Sequence, residues 1–577
     1  MGTRDTMGRA FGQVGRRLRA MRPDWRDMRA DAAAGVPGAV SGVPEGMANS
    51  LLVGVSPAHG LFANFAGPLF GGMSTSTRLM VINTTSAAAL AAGSTLQGVD
   101  PAERPSALLL LTVLAGAVMI AAGVLRLGRY TRFVSHSVMI GFLTGIAVNI
   151  ICGQLPDLTG SPAQGAVSLA KAFAVVTDPA GIELASLLTG LAALAILVAL
   201  KRTRWAIAGT MLALAVPTGM VMLAGAGGVA RVEDAGAIPG GFPLPHLPGL
   251  APLSLNLMGG ALAIALIVLV QGTGVAESVP GKDGKPSDTN RDFIAQGVGN
   301  LAAGLFRGQP VGGSVGQTAL AAANGARTRW GPMWCGIWML LILMALSGVV
   351  GTVAMPTLAA VLIFAASGAL RPAEVITILR TGPTSQIAVI TTFTATLLLP
   401  VAVAVGVGVA LSLLMQLNQE AIDLKVVELV PDGDRTWRER PAPVSLTSHQ
   451  VTALDVYGSL FYAGGRTLRA RLPEPAGTDS PVVILRLRGR TSLGATFFLV
   501  ITDYAESLAR VGGRLYLSGL DPAMAERLHR TRHVDVSGPV RAFEATPLLG
   551  ESTRAAYLDA EAWAVQHRRM DGGPRER

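Results

Sequence analysis

The hydrophobic positions of this chain form long unbroken runs rather than the alternating patterns of soluble domains. Fourteen such runs precede residue 418, and several are shorter than the roughly 20 residues that a bilayer-spanning helix needs. They lie near residues 32–53, 57–73, 79–96, 106–125, 134–152, 183–200, 205–226, 256–276, 293–306, 315–325, 331–352, 356–370, 383–399 and 401–417. The pattern predicts an α-helical polytopic membrane protein with about fourteen transmembrane segments.

Two of the short runs, 79–96 and 315–325, each follow a stretch rich in glycine, serine or threonine. They are the third and the tenth run, so they correspond if the domain consists of two halves of seven. Because seven is odd, the second half is then inverted relative to the first. Broken helices at matching positions of inverted halves mark the binding sites of many transporters. A helix that begins inside the membrane directs unpaired N–H groups and its positive dipole end into a cavity, which suits an anion.

The composition changes after residue 418, where strand-like and helical patterns begin to alternate. Such alternation predicts a small sheet covered by helices. We predict five regions: a basic cytoplasmic segment at 1–30, a membrane domain at 31–430, a linker at 431–448, a soluble α/β domain at 449–550 and a C-terminal tail at 551–577, disordered from about residue 562.

Charged residues make up only 15% of the chain, whereas soluble proteins carry about 25%. The net charge of +10 does not indicate a nucleic-acid partner, because the basic residues collect in short loops between apolar runs. The two cysteines, Cys152 and Cys335, both lie in apolar runs, so we expect neither a disulfide framework nor a metal site. No pattern of an enzyme active site or of a cofactor-binding loop is present.

The basic loops also predict the orientation of the chain. With the N-terminus inside, the inner loops carry many more arginines and lysines than the outer loops, which hold only Arg104, Lys171, Arg231 and Arg307. An even number of spans then returns the C-terminus to the cytoplasm. We expect a protein of the bacterial plasma (inner) membrane with both termini cytoplasmic.

Two stretches resemble a known family. The first span reads VPEGMANSLLVGVSPAHGLF, and the ninth and tenth read DTNRDFIAQGVGNLAAGLFRGQPVGGSVGQTALAAANGARTR. Both are similar to the signature stretches of the SulP anion transporters, relatives of solute carrier family 26 that carry a C-terminal STAS domain. The resemblance implies a uracil-permease-like fold of 7+7 inverted spans, divided into core and gate domains. It also implies secondary active transport by movement of the core past the gate, and a homodimer in membrane lipid.

In that family the anion lies between the N-termini of the third and tenth half-helices. Carried over by motif, the substrate-binding residues here are Asn83, Thr84, Thr85, Ser86, Val315, Gly316, Gln317 and Thr318. Hydroxyls, an amide and free backbone N–H groups can hold an oxyanion without a buried cation.

This chain departs from the family pattern at two positions. Many members have an arginine where Gln317 stands, and an acidic residue where Gln271 stands in the eighth span. The loss of both charges together is physically reasonable if the two side chains face each other, because a buried charge without a partner is costly. On this hypothesis of a neutral pair, Gln317→Arg alone would not preserve expression and uptake.

Glu45 is the remaining acidic candidate, since it lies in the first span directly after Pro44. A carboxylate inside the membrane is neutralised by a proton or a partner, and it is a functional candidate by default. We expect Glu45, with Gln271 as a second candidate, to take part in coupling to H⁺ or Na⁺; no other cofactor is expected.

The stretch VVILRLRGRTSLGATFFLVI (482–501) resembles the central strand, loop and helix of the STAS domain. The loop of that domain carries an aspartate and a hydroxyl residue that can be phosphorylated. Here Gly494 stands at the aspartate position and Thr496 at the hydroxyl position, which favours docking or dimer stabilisation over a phosphorylation switch.

The substrate stays open at this level. Sulfate and bicarbonate are the first candidates and dicarboxylates such as fumarate the next. A nucleobase permease of the same fold is disfavoured by Gln271 and the STAS-like domain. A channel-like anion conductor and a non-transporting scaffold for the STAS domain remain alternatives.

Overall fold

The computed structural model describes residues 25–133, 135–163, 167–203, 206–236, 241–249, 251, 253–278, 287–422, 424–433, 436–458, 460, 462–490, 493–531 and 540–571. Most of the predicted basic segment at 1–30 therefore lies outside the described residues. The chain divides into two compact units, Met1–Ser412 and Leu413–Arg577.

The first half of the membrane unit contains eight α-helices and one short strand among its described residues. They are α1 (Trp25–Val53), α2 (Ala58–Ala66), β1 (Ile82–Thr84), α3 (Ser86–Leu96), α4 (Arg104–Val124), α5 (His136–Thr159), α6 (Ser168–Thr177), α7 (Leu184–Leu200) and α8 (Ala206–Ala224). A π-helical turn, Gly67–Gly71, extends α2.

The second half repeats the arrangement. It contains α9 (Leu255–Ser278), α10 (Thr289–Leu305), β2 (Val311–Gly313), α11 (Val315–Ala323), α12 (Trp330–Gly351), α13 (Met355–Ala369), α14 (Pro372–Thr381), α15 (Pro383–Leu398) and α16 (Val401–Ile422). Each of the fourteen apolar runs contains a helix. Two more helices, α6 and α14, were not predicted, because each has only ten residues.

Small residues bring the helices into backbone contact, as is usual in membranes. A Cβ atom added at Gly116 of α4 would lie 2.8 Å from the carbonyl oxygen of Gly297 in α10. The reciprocal distance, from a Cβ atom at Gly297 to the Gly116 oxygen, is 2.7 Å. A larger side chain at either position would separate α4 from α10, the helix that leads into β2.

The C-terminal unit is a six-stranded sheet between helices. Its strands are β3 (Lys425–Pro431), β4 (Trp437–Pro441), β5 (Val451–Tyr457), β6 (Val482–Arg486), β7 (Arg514–Leu520) and β8 (Val540–Glu544), in the spatial order β4-β3-β5-β6-β7-β8. The β3 strand is antiparallel to both of its neighbours, and β5 to β8 are parallel. The helices are α17 (Tyr462–Arg471), α18 (Ala495–Arg510), α19 (Pro522–Thr531) and α20 (Glu551–Asp571).

Alternate side chains of the strands face opposite layers, since successive residues of a strand point to opposite sides. In β6, Val483 and Leu485 belong to the core shared with α18, whereas Val482 and Ile484 belong to the core shared with α20. Both sides of the sheet are therefore covered by helices.

Two of our predictions for this region are wrong. The residues predicted as a linker, 431–448, include β4, and the sheet begins already with β3. The tail predicted to be disordered from about residue 562 forms the second half of α20. Its apolar stripe consists of alanines four residues apart, Ala556, Ala560 and Ala564, all buried against the sheet. Such a narrow stripe among charged residues does not stand out in the sequence.

Candidate functional site

The two half-helices α3 and α11 are joined by a three-rung strand ladder. The β1 and β2 strands pair antiparallel, with Ile82 opposite Gly313 and Thr84 opposite Val311. Because α3 follows β1 and α11 follows β2, the two helices begin at opposite ends of the ladder. A strand rises about 3.4 Å per residue, so the rungs span only about 7 Å and both helix N-termini border the same short ladder.

Both N-termini are capped by a hydroxyl. Thr85 Oγ1 accepts a hydrogen bond from the Ala88 N–H at 3.3 Å, and Ser314 Oγ accepts one from the Gln317 N–H at 3.3 Å. The helical ladder leaves the N–H groups of the first turn without partners, and one cap satisfies only one of them. The remaining first-turn groups are the donors that an anion could reach.

The outer edges of the ladder are satisfied by side-chain amides. On the β2 edge, Asn300 accepts from the Val311 N–H at 3.0 Å and donates to the Val311 oxygen at 2.7 Å. Gln296 accepts from the Gly313 N–H at 3.0 Å. On the β1 edge, Asn64 accepts from the Thr84 N–H at 2.8 Å. A buried strand pair of this length needs such partners, because unpaired buried backbone groups are costly.

Gln317 points from the first turn of α11 towards α1. Its Nε2 donates to Glu45 Oε2 at 2.7 Å and to Ser41 Oγ at 3.1 Å. Gln271 of α9 instead contacts Thr85, whose hydroxyl donates to Gln271 Oε1 at 3.4 Å. The structure therefore does not bring Gln317 and Gln271 together as a neutral pair; the partner of Gln317 is a carboxylate.

The eight predicted substrate-binding residues fall into two groups. Three are buried in the ladder and its supports, namely Asn83, Thr84 and Thr318. The Thr84 hydroxyl accepts a hydrogen bond from Asn49 Nδ2, and the Thr318 hydroxyl accepts one from the Val81 N–H. These hydroxyls hold the backbone in place.

The other group borders open space. The side chain of Val315 is 43% exposed, Gly316 is exposed and Ser86 is partly exposed. Thr85 and Gln317 lie just beneath, at 9% and 6% exposure. What this group can offer an anion is mainly backbone N–H from two helix ends, supplemented by hydroxyl and amide donors.

The surroundings of Gln271 are apolar. It lines a cavity of about 40 Å³ together with Val138 and Phe142 of α5 and Ala404 of α16. In the part of the chain that the structure describes, no group of three or more histidine, cysteine, aspartate or glutamate side chains could hold a metal ion.

Sequence reasoning missed the supporting amides Asn49, Asn64, Gln296 and Asn300, and also Ser41. Gln296 and Asn300 were visible as two amides four residues apart in the apolar part of α10, a spacing that places both on one face. Their partners lie far along the chain, so the sequence did not show what they bind.

The chain matches the model of the sulfate permease family over residues 28–393. It is 30% identical over 349 residues to "Probable sulfate transporter MT1781" of Mycobacterium tuberculosis, a match that covers 59% of this chain and 61% of that protein. The matched region thus spans about three fifths of that relative's length.

Two solved structures share the fold. The murine solute carrier 26 family member A9 anion transporter, in its inward-facing state, superposes with a TM-score of 0.79 at 18% identity over 92% of this chain and 91% of that one. The transmembrane domain of a cyanobacterial bicarbonate transporter, BicA, gives a TM-score of 0.58 at 18% identity over 68% and 98%. With the family match covering more than half of its length, this chain belongs to the sulfate permease family, and it carries a C-terminal STAS domain.

Proposed function

We propose that this protein is a secondary active transporter of an inorganic anion of the sulfate or bicarbonate class. The observation that carries the proposal is the short strand ladder with a half-helix N-terminus at each of its two ends, together with the exposed first-turn residues Val315 and Gly316. Membership of the sulfate permease family supports this class of substrate, as do the similarities to a probable sulfate transporter and to a bicarbonate transporter.

The transport cycle moves the half-helices as one body. The part that carries them, with α1 to α4 and α9 to α12, slides past the part built from α5 to α8 and α13 to α16. The protein works as a homodimer in the inner membrane, with both termini cytoplasmic, and its STAS domain stabilises the dimer or docks a partner.

Glu45 couples transport to H⁺ or Na⁺. Its carboxylate accepts from Gln317 in the first turn of α11, so its protonation state bears directly on the anion site. A proton on Glu45 removes a negative charge beside the bound anion, which favours simultaneous binding of both ions.

The substrate is tested by uptake of labelled sulfate, bicarbonate, chloride and fumarate into proteoliposomes, with imposed pH and Na⁺ gradients. Accumulation of sulfate or bicarbonate against its gradient supports the proposal. Accumulation of fumarate alone assigns a dicarboxylate transporter, and purely electrodiffusive flux assigns a channel. No uptake of any anion, from protein that is folded, assigns the scaffold role.

We expect Glu45→Gln to abolish gradient-driven accumulation while downhill exchange continues, because the amide cannot take up a proton. Uptake is compared with and without the driving gradient. The matched control is Glu374→Gln, which removes an exposed carboxylate that pairs with Arg371 on α14. Full coupling in the Glu45→Gln protein would contradict the assignment.

A further inference from the structure

A polar cavity lies near the C-terminal ends of α1 and α3, away from the candidate site. Its volume is about 300 Å³. One wall comes from the end of α1, the C-terminal half of α3 and the start of α4; the other comes from α5, α6 and the α15–α16 connection. With a rise of about 1.5 Å per residue, Ser94 in this cavity lies about 12 Å along α3 from Ser86. The cavity is separate from the candidate site.

The charged side chains of the cavity are two cations and one carboxylate. Arg104, Lys171 and Asp157 line it; Lys171 interacts electrostatically with Asp157, although within the described ranges no carboxylate oxygen lies within 4 Å of either cation. Arg104 donates its Nε–H to the Val99 oxygen at 3.1 Å, which leaves the rest of its guanidinium available. With two cations and one carboxylate, the cavity has a net surplus of one positive charge.

Two neutral side chains of the cavity lack partners among the described residues. Gln154 is 3% exposed, and its Oε1 makes no hydrogen bond; the Ser94 hydroxyl makes none either. The unpartnered Gln154 atom is an amide oxygen, which accepts hydrogen bonds and therefore does not hold an anion. The Ser94 hydroxyl and the Gln154 Nε2 group can donate to one.

Glycines shape the cavity. Gly54 has a φ of +81°, and a Cβ atom there would lie 3.5 Å from Arg104 Nη1. A Cβ atom at Gly153 of α5 would lie 3.1 Å from the Ser168 hydroxyl of α6. This close approach of α6 to α5 brings Lys171, one turn further along α6, to the cavity.

We propose that this cavity is a second anion-binding site, which holds the transported anion at the membrane face where α1 ends. The inference rests on the proposed function, and the predicted orientation makes this face the extracytoplasmic one. Arg104 alone could be explained by the carbonyl groups near the end of α3, which attract cations. Lys171 stands on a separate helix, on the wall that faces Arg104, so the cavity binds a small anion between two cations.

The test uses uptake of labelled sulfate by intact cells of a host without its own sulfate uptake, and by inside-out vesicles from the same cells. We expect Lys171→Gln to raise the KM in intact cells about fivefold with little change in maximal rate, since local positive charge concentrates an anion. The KM in inside-out vesicles stays within about twofold. Lys171→Arg keeps the wild-type KM, and Asp157→Asn lowers it.

The matched control is Lys201→Gln. It removes an exposed lysine that directly follows the C-terminal end of α7 and lies over the ring of Phe364. An unchanged KM for Lys171→Gln in intact cells overturns the second site, as does an equal increase in the control. If the wild-type protein takes up no anion, the proposed function fails. Equilibrium binding of labelled sulfate to the purified full-length protein then decides whether the second site exists. Binding weakened by Lys171→Gln but not by Lys201→Gln supports the site, and equal binding overturns it.

Discussion

At the scale of single residues, the environment of Gln317 decides which substitutions the site tolerates. Its amide nitrogen lies 2.7 Å from a Glu45 oxygen, and that carboxylate belongs to α1 rather than to the helix of Gln271. A cation in place of Gln317 would therefore meet an anion. This geometry reverses the expectation drawn from the sequence, where the absent acid at position 271 argued against an isolated arginine.

We predict that the Gln317→Arg protein folds and is expressed at the wild-type level, because the guanidinium pairs with Glu45. Gln317→Glu makes the same demands on the backbone, but it places a second carboxylate beside Glu45. Its melting temperature therefore falls by several degrees. The measurement is the melting temperature of the purified proteins, together with the yield of monodisperse protein. Equal losses for both variants would show that Glu45 does not act as the counter-charge.

At the scale of elements, the strand ladder depends on amides supplied by α10. Asn300 satisfies both the N–H and the C=O of Val311. We predict that Asn300→Leu lowers the free energy of unfolding by about 2–6 kcal/mol, because two buried backbone groups lose their partners at about 1–3 kcal/mol each.

The graded control is Asn300→Asp, which keeps an acceptor for the Val311 N–H but has no donor for the Val311 oxygen. Its stability is expected to lie between those of the wild type and Asn300→Leu, as measured by thermal unfolding and by anion uptake. A leucine variant as stable as the wild type would mean that the ladder does not need this edge partner.

The sequence predicted the transmembrane elements well, for a physical reason. A helix in lipid must form all of its backbone hydrogen bonds internally and present an apolar surface. Each of the fourteen helices therefore appears in the sequence as an apolar run. The half-helices could also be recognised in the sequence, because the residues that precede them are rich in small and hydroxyl side chains. The strand pairing and the contact between Gln317 and Glu45 were not visible, since they join residues more than 200 positions apart.

At the scale of the whole molecule, the two units differ in how far their sequences reveal them. The C-terminal sheet was predicted from its apolar strands, but the helix that covers its second face was not. That helix, α20, buries alanines against Ile484 and Tyr516. Alanine has little apolar surface, so its stripe carries a weak signal even where the packing is close.

We predict that Ala560→Arg unfolds the C-terminal unit in the full-length protein, because it places an unpaired charge where the side chain is 0% exposed. The control is Leu558→Arg on the same helix, at a position 56% exposed. Limited proteolysis of the purified protein is the measurement. Rapid cleavage within residues 413–577 is expected only for Ala560→Arg; resistance equal to the control would mean that α20 is dispensable.

The three rungs between β1 and β2 also limit how the molecule can change shape. Hydrogen bonds across a buried ladder, reinforced at both edges, keep the two helix ends at one separation. On the proposed transport cycle, a solute resting between them meets the same donors whichever side of the bilayer is open. The affinity of this site itself should then be nearly equal towards the two compartments, and the proposed coupling ion would set the net direction of flow.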